Sequence, residues 1–320
     1  MKAIRLHSHG PASVLRYEDV AVPEPKEDQV LVQLKSIGVN FVDIYMRAGT
    51  HQTELPITIG VEGAGVAVKL GPRASNVRLG DRVAYTNVLG SYAEYALVPS
   101  GRLIILPTYI DERTASAILL QGMTAHYLAH DAFPLAKGHS VLIHAGAGGV
   151  GLLLTQIAKQ LGAHVIITAS TEEKGKIALE AGADEWINYS TEDFEEKVRQ
   201  MTSGRGVDVV YDSVGKSTFN KSLKCLARRG HFVSFGQASG PTPEIALTPL
   251  LGSISLTTCR LVDYTASREE YESHAKSVFD LVKSGNLKPR IFRTLPLSDA
   301  AEAHSLIESR STIGKLLLQP

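Results

Sequence analysis

Val141-Leu142-Ile143-His144-Ala145-Gly146-Ala147-Gly148-Gly149-Val150-Gly151 runs from an apolar segment into glycines spaced G-x-G-x-x-G. The next residues, Leu152-Leu153-Leu154-Thr155-Gln156-Ile157-Ala158-Lys159-Gln160-Leu161, read as a helix. Strand, glycine turn and helix in that order form the context in which this spacing cradles a dinucleotide. The first glycine allows a tight turn, the second lets backbone approach a pyrophosphate, and the third lets the helix pack close to the sheet. The free N–H groups and positive dipole end of the helix then face the phosphates. Without those flanks the spacing would indicate only a tight turn.

Working outward, short Val/Ile-rich runs at 141–144, 165–168, 185–188, 207–211, 231–235 and 254–258 alternate with helical patterns, such as 172–180 before Ala181-Gly182. That alternation predicts an α/β fold with a doubly wound, six-stranded parallel sheet and right-handed crossovers. Residues 1–110 have a different texture. Val30, Val32 and Leu34 alternate with Leu31, Gln33 and Lys35, and turn signals such as Leu79-Gly80-Asp81 separate similar runs near 63–70, 81–85 and 92–98. This predicts a mostly antiparallel β domain. It carries one helix at 42–48, capped by Asn40 and stopped by Gly49. Two helices are expected at 112–120 and 123–130. After helices at 268–283 and 297–308, a lone apolar strand at 314–318 needs a sheet, and the first domain supplies one.

The 320 residues suggest two domains, and a hydrophobic content of 44% can fill their cores. Lys+Arg of 33 balance Asp+Glu of 33, with no long like-charge run and no basic, aromatic-rich stripe. Nucleic-acid and membrane-surface binding are therefore not expected. Two cysteines, Cys225 and Cys259, imply no disulfide framework and fit a reducing compartment. The polar start Met1-Lys2-Ala3-Ile4-Arg5-Leu6-His7 is no signal peptide, and no apolar run is long enough to span a bilayer. The expectation is a cytoplasmic protein.

In the simplest dinucleotide site, an acid about 20 residues past the glycines bonds the ribose 2′-OH. Here the segment reads Ala169-Ser170-Thr171, with Lys174 on the following helix. An acid would repel a 2′-phosphate, whereas Ser170 and Lys174 could hold one, which favours NADPH. Taken alone, Lys174 is an ordinary solvated helix lysine, and Glu172 and Glu173 carry the wrong sign. Metal catalysis is not expected: two cysteines cannot build a Cys₄ site, and neither has ligand spacing to a histidine. His7, His9, His51, His126, His130 and His144 are scattered. His126 and His130 share a helix face without a carboxylate motif. No Ser-His-Asp order and no phosphate-loop Gly-Lys-Ser/Thr is present. What remains is hydride transfer, in which the cofactor does the chemistry and the protein positions it. Candidate groups around a nicotinamide are the loop from Asn40 to Tyr45, Thr124, and the strand ends Phe235-Gly236-Gln237 and Leu256-Thr257-Thr258.

Several motifs together resemble one family. They are Ile37-Gly38-Val39-Asn40-Phe41-Val42-Asp43, Gly60-Val61-Glu62-Gly63-Ala64-Gly65, Gln121-Gly122-Met123-Thr124-Ala125, the 145–151 turn, Val210-Tyr211-Asp212-Ser213-Val214-Gly215 and Val233-Ser234-Phe235-Gly236. Over essentially its whole length the chain resembles the zinc-independent, zeta-crystallin-like quinone oxidoreductases of the medium-chain dehydrogenase/reductase superfamily. The resemblance implies a GroES-like catalytic domain (1–122 plus 264–320) with an inserted Rossmann domain (123–263). It implies that Asn40, Tyr45 and Thr124 lie near the nicotinamide, and that Ala147, Gly148, Gly149 and Val150 hold the pyrophosphate within a cofactor-binding turn that Gly146 and Gly151 complete. It further implies that Ser170, Lys174 and Tyr189 surround the 2′-phosphate, and that Ser213, Ser234, Phe235, Gly236, Gln237, Leu256, Thr257 and Thr258 line the rest of the cofactor. Zinc-dependent relatives carry Cys at the place of Asn40 and His at that of Val61; Glu62 is read as structural. Many relatives place a Tyr two residues after the glycine of an Arg-x-Gly turn, where this chain has His51 after Arg47-Ala48-Gly49-Thr50. His51 could deliver a proton near neutral pH, or be an ordinary loop histidine.

The expected activity is an NADPH-dependent, flavin-free and metal-free quinone reductase. One alternative is reduction of activated C=C bonds in enones, enals or 2-substituted acrylates. Another is a non-catalytic NADPH-binding protein. The resemblance also implies a homodimer, formed by pairing the strand at 254–258 between subunits.

Overall fold

The computed structural model describes residues 1–51, 53–246 and 252–320. The chain divides into two units, Met1–Gln121 with Thr265–Lys283 and Pro289–Pro320, and Gly122–Tyr264 with Ser284–Lys288.

The alternation at Val30, Val32 and Leu34 belongs to a ten-residue strand at the centre of the first unit. In chain order the elements are β1 (Lys2–Leu6), β2 (Leu15–Asp19), β3 (Gln29–Gly38), α1 (Phe41–Ala48), β4 (Ile57–Thr58), β5 (Glu62–Leu70), β6 (Arg82–Thr86), β7 (Tyr95–Pro99), β8 (Ile104–Ile105) and α2 (Glu112–Tyr127). Two helices were expected between 112 and 130. The structure has one α-helix through Gly122, followed by a π-helical turn, Leu128–Ala132. Gly in a helix interior costs about 1 kcal/mol against Ala. Full burial of Ala115, Ile118, Leu119, Met123 and Ala125 outweighs that cost.

The second unit continues with β9 (Ser140–Ile143), α3 (Gly149–Gln160), β10 (His164–Ala169), α4 (Glu172–Glu180), β11 (Glu185–Asn188), α5 (Phe194–Met201), β12 (Val207–Asp212), α6 (Phe219–Cys225), β13 (Leu226–Ser234), β14 (Ser255–Thr258) and α7 (Leu261–Tyr264). All its pairings are parallel, in the order β11-β10-β9-β12-β13-β14. Renumbered within the sheet this is 3-2-1-4-5-6, the order of dinucleotide-binding sheets, in which ligands lie beyond the carboxyl ends of the strands. Leu142, Ile166, Ile187, Val210 and Phe232 fill one of its cores, together with Phe194 and Phe219 from the helices. The residues after the next helix return to this unit: Gln156 accepts from Lys288 N at 2.8 Å and donates to its carbonyl at 3.1 Å.

The tail comprises α8 (Arg268–Lys283), β15 (Ile291–Pro296), α9 (Ala300–Glu308) and β16 (Lys315–Gln319). As expected, the last strand joins the first unit's sheet. β16 lies antiparallel to β3, with Leu317 opposite Gly38 and Leu318 opposite Ile37. β15, which the sequence did not reveal, runs parallel to β16 at the end of a sheet ordered β15-β16-β3-β5-β6-β8, with β7 also on β3. Ile4, Leu34, Ile37, Tyr85, Tyr92, Leu316 and Leu318 are among the residues that fill its core. No described helix is long and apolar enough to cross a membrane.

Candidate functional site

In the second unit, β9 ends at Ile143 and the chain turns through Ala145, whose φ is +52°. A Cβ at Gly146 would collide with the Ile167 side chain on β10, and one at Gly151 with the carbonyl oxygen of Ala145. The protein's own packing therefore dictates these two glycines. Gly148 differs: its added Cβ would meet only the Ala145 carbonyl, at 3.1 Å. Gly148 is also the N-cap of α3 and offers no side chain to its first amides. The turn thus leaves space and helix N–H groups for an anion on the Gly148 face. Ala147 is buried, and Gly149 and Val150 are half-buried at the start of the helix.

Beyond β10, Ser170 and Thr171 precede α4. Thr171 caps that helix by accepting from Lys174 N. Tyr189 N donates to Ala169 O at 3.1 Å, and Ser190 Oγ donates to Ser170 O at 3.1 Å. Ser170, the first turn of α4 and Tyr189 are therefore brought together at the ends of β10 and β11. Of the two acids nearby, Glu172 pairs with Lys176 at 2.8 Å on the exposed helix face. A Cβ at Gly175 would collide with the Trp186 ring, so that glycine lets α4 sit against β11.

The next two strand ends are tied to each other. Ala238 N donates to Ser213 O at 3.1 Å, Ser239 N to Val214 O at 2.8 Å, and Phe235 N to Asp212 O at 3.0 Å. A Cβ at Gly236 would stand 2.7 Å from Ser213 O. Ser213, Ser234, Phe235, Gly236 and Gln237 therefore form one half-exposed rim. Leu256, Thr257 and Thr258 follow on β14, which among the described residues pairs with β13 alone and ends the sheet. Thr124, on α2, is 7% exposed.

In the first unit, Asn40 begins α1 and Asp43 accepts from its backbone N–H at 2.8 Å. The Asn40 side chain is 5% exposed and almost fully engaged. Its Nδ2 donates to Glu62 Oε2 at 2.9 Å and to Gly38 O at 3.2 Å, and its Oδ1 accepts from Lys315 Nζ at 2.8 Å. The ammonium fixes which way the amide points, since only the oxygen can face it. Glu62 is fully buried; Lys315 lies 2.6 Å from its Oε2, and Leu120 N donates to its Oε1 at 2.7 Å. Gly38 is required here because a Cβ would overlap the Glu62 carboxylate. The reading of Glu62 as structural fits these contacts. Both of its oxygens serve protein donors, and an ammonium ion sits among the atoms that a metal would need.

Below this cluster, Tyr92 OH bridges Asp43 Oδ2 and His304 Nε2, each at 3.0 Å. Burial pushes the Asp43 carboxyl up to about 7, against the lowering effect of hydrogen bonds from Asn40 N and Tyr92. Burial, with help from Arg47, pushes His304 down to about 3. The buried Arg47 guanidinium is paired with Glu308, with Nη1 at 2.9 Å from Oε2. The sequence assigns Lys315, Tyr92 and His304 no role, and Asp43 one only as part of the loop from Asn40 to Tyr45. Two signals existed: the Asn40-x-x-Asp43 spacing of a capping box, and a lone lysine opening the apolar run Lys315-Leu316-Leu317-Leu318.

On the outer face of α1, the Tyr45 ring lies between Phe41, with centroids 6.1 Å apart, and His51, edge-on at 5.4 Å. His51 N also donates to Tyr45 O at 3.2 Å. The structure thus joins Tyr45 to His51 and Asn40 to Glu62.

Residues 26–108 match the family model for an alcohol dehydrogenase GroES-like domain, and residues 149–279 match that for a zinc-binding dehydrogenase. The chain is 41% identical to a 2-haloacrylate reductase of a Burkholderia species, covering 98% of each. It is 40% identical to quinone oxidoreductase 1 of Escherichia coli K12, covering 99% of each. The solved structure of Escherichia coli quinone oxidoreductase complexed with NADPH superposes with a TM-score of 0.98 at 39% identity, covering both chains completely.

Proposed function

The chain belongs to the quinone oxidoreductase family of the medium-chain dehydrogenases/reductases, and from that premise we infer that it is an NADPH-dependent quinone reductase. The observation that carries the cofactor reading is the unequal glycine turn: Gly146 and Gly151 have no room for a side chain, whereas Gly148 opens the helix N-terminus to a phosphate. Ser170, Lys174 and Tyr189 supply a hydroxyl, an ammonium and a phenol at the strand ends where a 2′-phosphate is read, with no acid in the Ala169-Ser170-Thr171 segment. The half-exposed rim of Ser213 and Ser234 to Gln237, continued by Leu256 to Thr258, lines the remainder.

When bound, NADPH supplies the hydride. Asn40, with its amide held by Lys315 and Glu62, keeps one lone pair of Oδ1 and acts mainly as a fixed wall. Tyr45 and His51 offer an aromatic face suited to a planar ring, and Thr124 a hydroxyl. A hydroquinone anion is stabilised by its own ring and takes its proton from water, so a quinone demands no dedicated acid. The enzyme is read as metal-free: the atoms of Glu62 and Asn40 nearest any cation are already bonded to the Lys315 ammonium, and a second cation there would be repelled.

Reduction of an activated alkene is the second reading, favoured by the 41% identity to a 2-haloacrylate reductase. That chemistry does need a proton at carbon, and His51 is exposed and could carry one. Comparing kcat/KM for 1,4-benzoquinone and 2-chloroacrylate with NADPH decides between them. The quinone should be preferred, and fast acrylate turnover without quinone turnover would reverse the assignment. The open edge of β14, with Leu256 38% exposed, is proposed as the seam of a homodimer. Light scattering on Thr257→Pro, which blocks strand pairing, should then report a monomer. Two free, buried cysteines fit the reducing cytoplasm.

A further inference from the structure

Beneath the glycine turn lie four buried polar side chains that the cofactor assignment does not use. His144, the residue after β9, is 1% exposed. Its Nδ1 lies 3.0 Å from Thr168 Oγ1 and its Nε2 2.9 Å from Ser222 Oγ. Ser222 Oγ in turn donates to Thr218 O at 2.9 Å and lies 3.3 Å from Asp212 Oδ2. A hydroxyl has one proton, and these acceptors take it, so Ser222 must accept from His144. Nε2 therefore carries the imidazole proton, and Nδ1 accepts from Thr168. Burial favours the neutral ring, opposed by nearby Asp212.

The chain of bonds runs one way and has a turn at each end. Thr168, which donates to His144, also holds Gly146 N on its carbonyl at 3.0 Å. Asp212 holds Val214 N at 2.7 Å and Gly215 N at 2.9 Å on Oδ1, and Thr218 Oγ1 at 2.7 Å on Oδ2. The ends of β9, β10 and β12 and the start of α6 are thereby fixed relative to one another, at the carboxyl edge where the nucleotide is read. A ring placed only to fill the core could be apolar, since its edge-on partner is Phe194, with centroids 4.9 Å apart.

We propose that His144 is a positioning residue for the dinucleotide, holding the glycine turn in register with the 212–215 turn through Thr168 and Ser222. The proposal rests on the reading of that turn as the pyrophosphate cradle. It requires an effect on every dinucleotide, unlike a change at Lys174, which concerns the 2′-phosphate alone.

The test is calorimetric titration of NADPH and of NADH into His144→Phe, His144→Asn and Ser222→Ala, at a temperature where each apo protein is fully folded by its melting curve. His144→Phe should raise both dissociation constants by a common factor of about ten, the loss of one to two hydrogen bonds. His144→Asn keeps an acceptor toward Thr168 and should fall between it and the parent. Ser222→Ala should also weaken both nucleotides alike. Parental constants in a folded His144→Phe, or weakening of NADPH alone, would overturn the proposal. If His144→Phe does not fold, the other two variants decide by the same criterion. Wild-type protein that bound neither nucleotide would remove the cradle reading itself, and the proposal with it.

Discussion

The turn from Ala145 to Gly151 and the cluster around Glu62 both manage polar groups inside a fold, by opposite means. The turn is contiguous, uses backbone, and excludes side chains: two of its glycines exist because the chain has no room for a Cβ. The cluster is made of side chains and is assembled across the sequence, with Asn40 and Lys315 separated by 275 residues. Backbone sites are written as local spacing. Side-chain sites depend on which strands become neighbours, here β3, β5 and β16.

The largest contrast should be in stability. Lys315→Met leaves the Glu62 carboxylate buried without its cation, and such removals cost about 3–5 kcal/mol. Urea unfolding should show that loss, and the double variant Glu62→Gln/Lys315→Met should recover most of it. Equal losses in the single and double variants would mean that the pair is not coupled.

A second effect separates the cluster from the turn by pH. Asp43 holds its proton up to about pH 7 when folded but only to about 3.9 when unfolded, so its contribution falls as pH rises from 4 to 7. His304 stays neutral down to about 3 when folded, whereas the unfolded ring protonates below about 6.5, so its contribution falls as pH drops through that window. The two slopes oppose each other between pH 4 and 6.5. Asp43→Asn should leave stability falling toward acid, and His304→Gln should leave it falling toward neutrality, each by about 4–5 kcal/mol across its window. Superimposable urea midpoints for both variants from pH 4 to 7 would refute the opposition.

Within the turn, Gly151→Ala must move backbone and should cost about 1–3 kcal/mol. Gly148→Ala, whose Cβ would crowd only the Ala145 carbonyl, should lower the melting temperature less than Gly151→Ala yet weaken NADPH binding strongly. A reversed order would place the phosphate elsewhere. The smallest effect is local to the 2′-phosphate. Lys174→Ala removes one half-buried charge and should raise the Michaelis constant for NADPH by about tenfold, the worth of a charge-assisted contact, with that for NADH unchanged. An equal rise for both would remove Lys174 from the site.

The same contrast explains what could be read beforehand. The parallel sheet followed from six apolar runs around one glycine turn, and the return of β16 to β3 followed from a lone strand needing a partner. The single helix across Gly122 was hidden because local propensity favours a break there, whereas burial along Ala115 to Ala125 decides. β15 was hidden because only Leu295 in it is buried, leaving little apolar pattern. Asp43, Tyr92, His304 and Lys315 could not be joined by spacing, since only the tertiary fold brings residues 43, 92, 304 and 315 together.

Hydride delivery to a quinone without metal or flavin is tested most directly on stripped protein. After EDTA treatment, and with no flavin absorbance, the enzyme should oxidise NADPH with 1,4-benzoquinone at the rate of the untreated protein. Turnover that disappears on stripping and returns with zinc or a flavin would contradict this account.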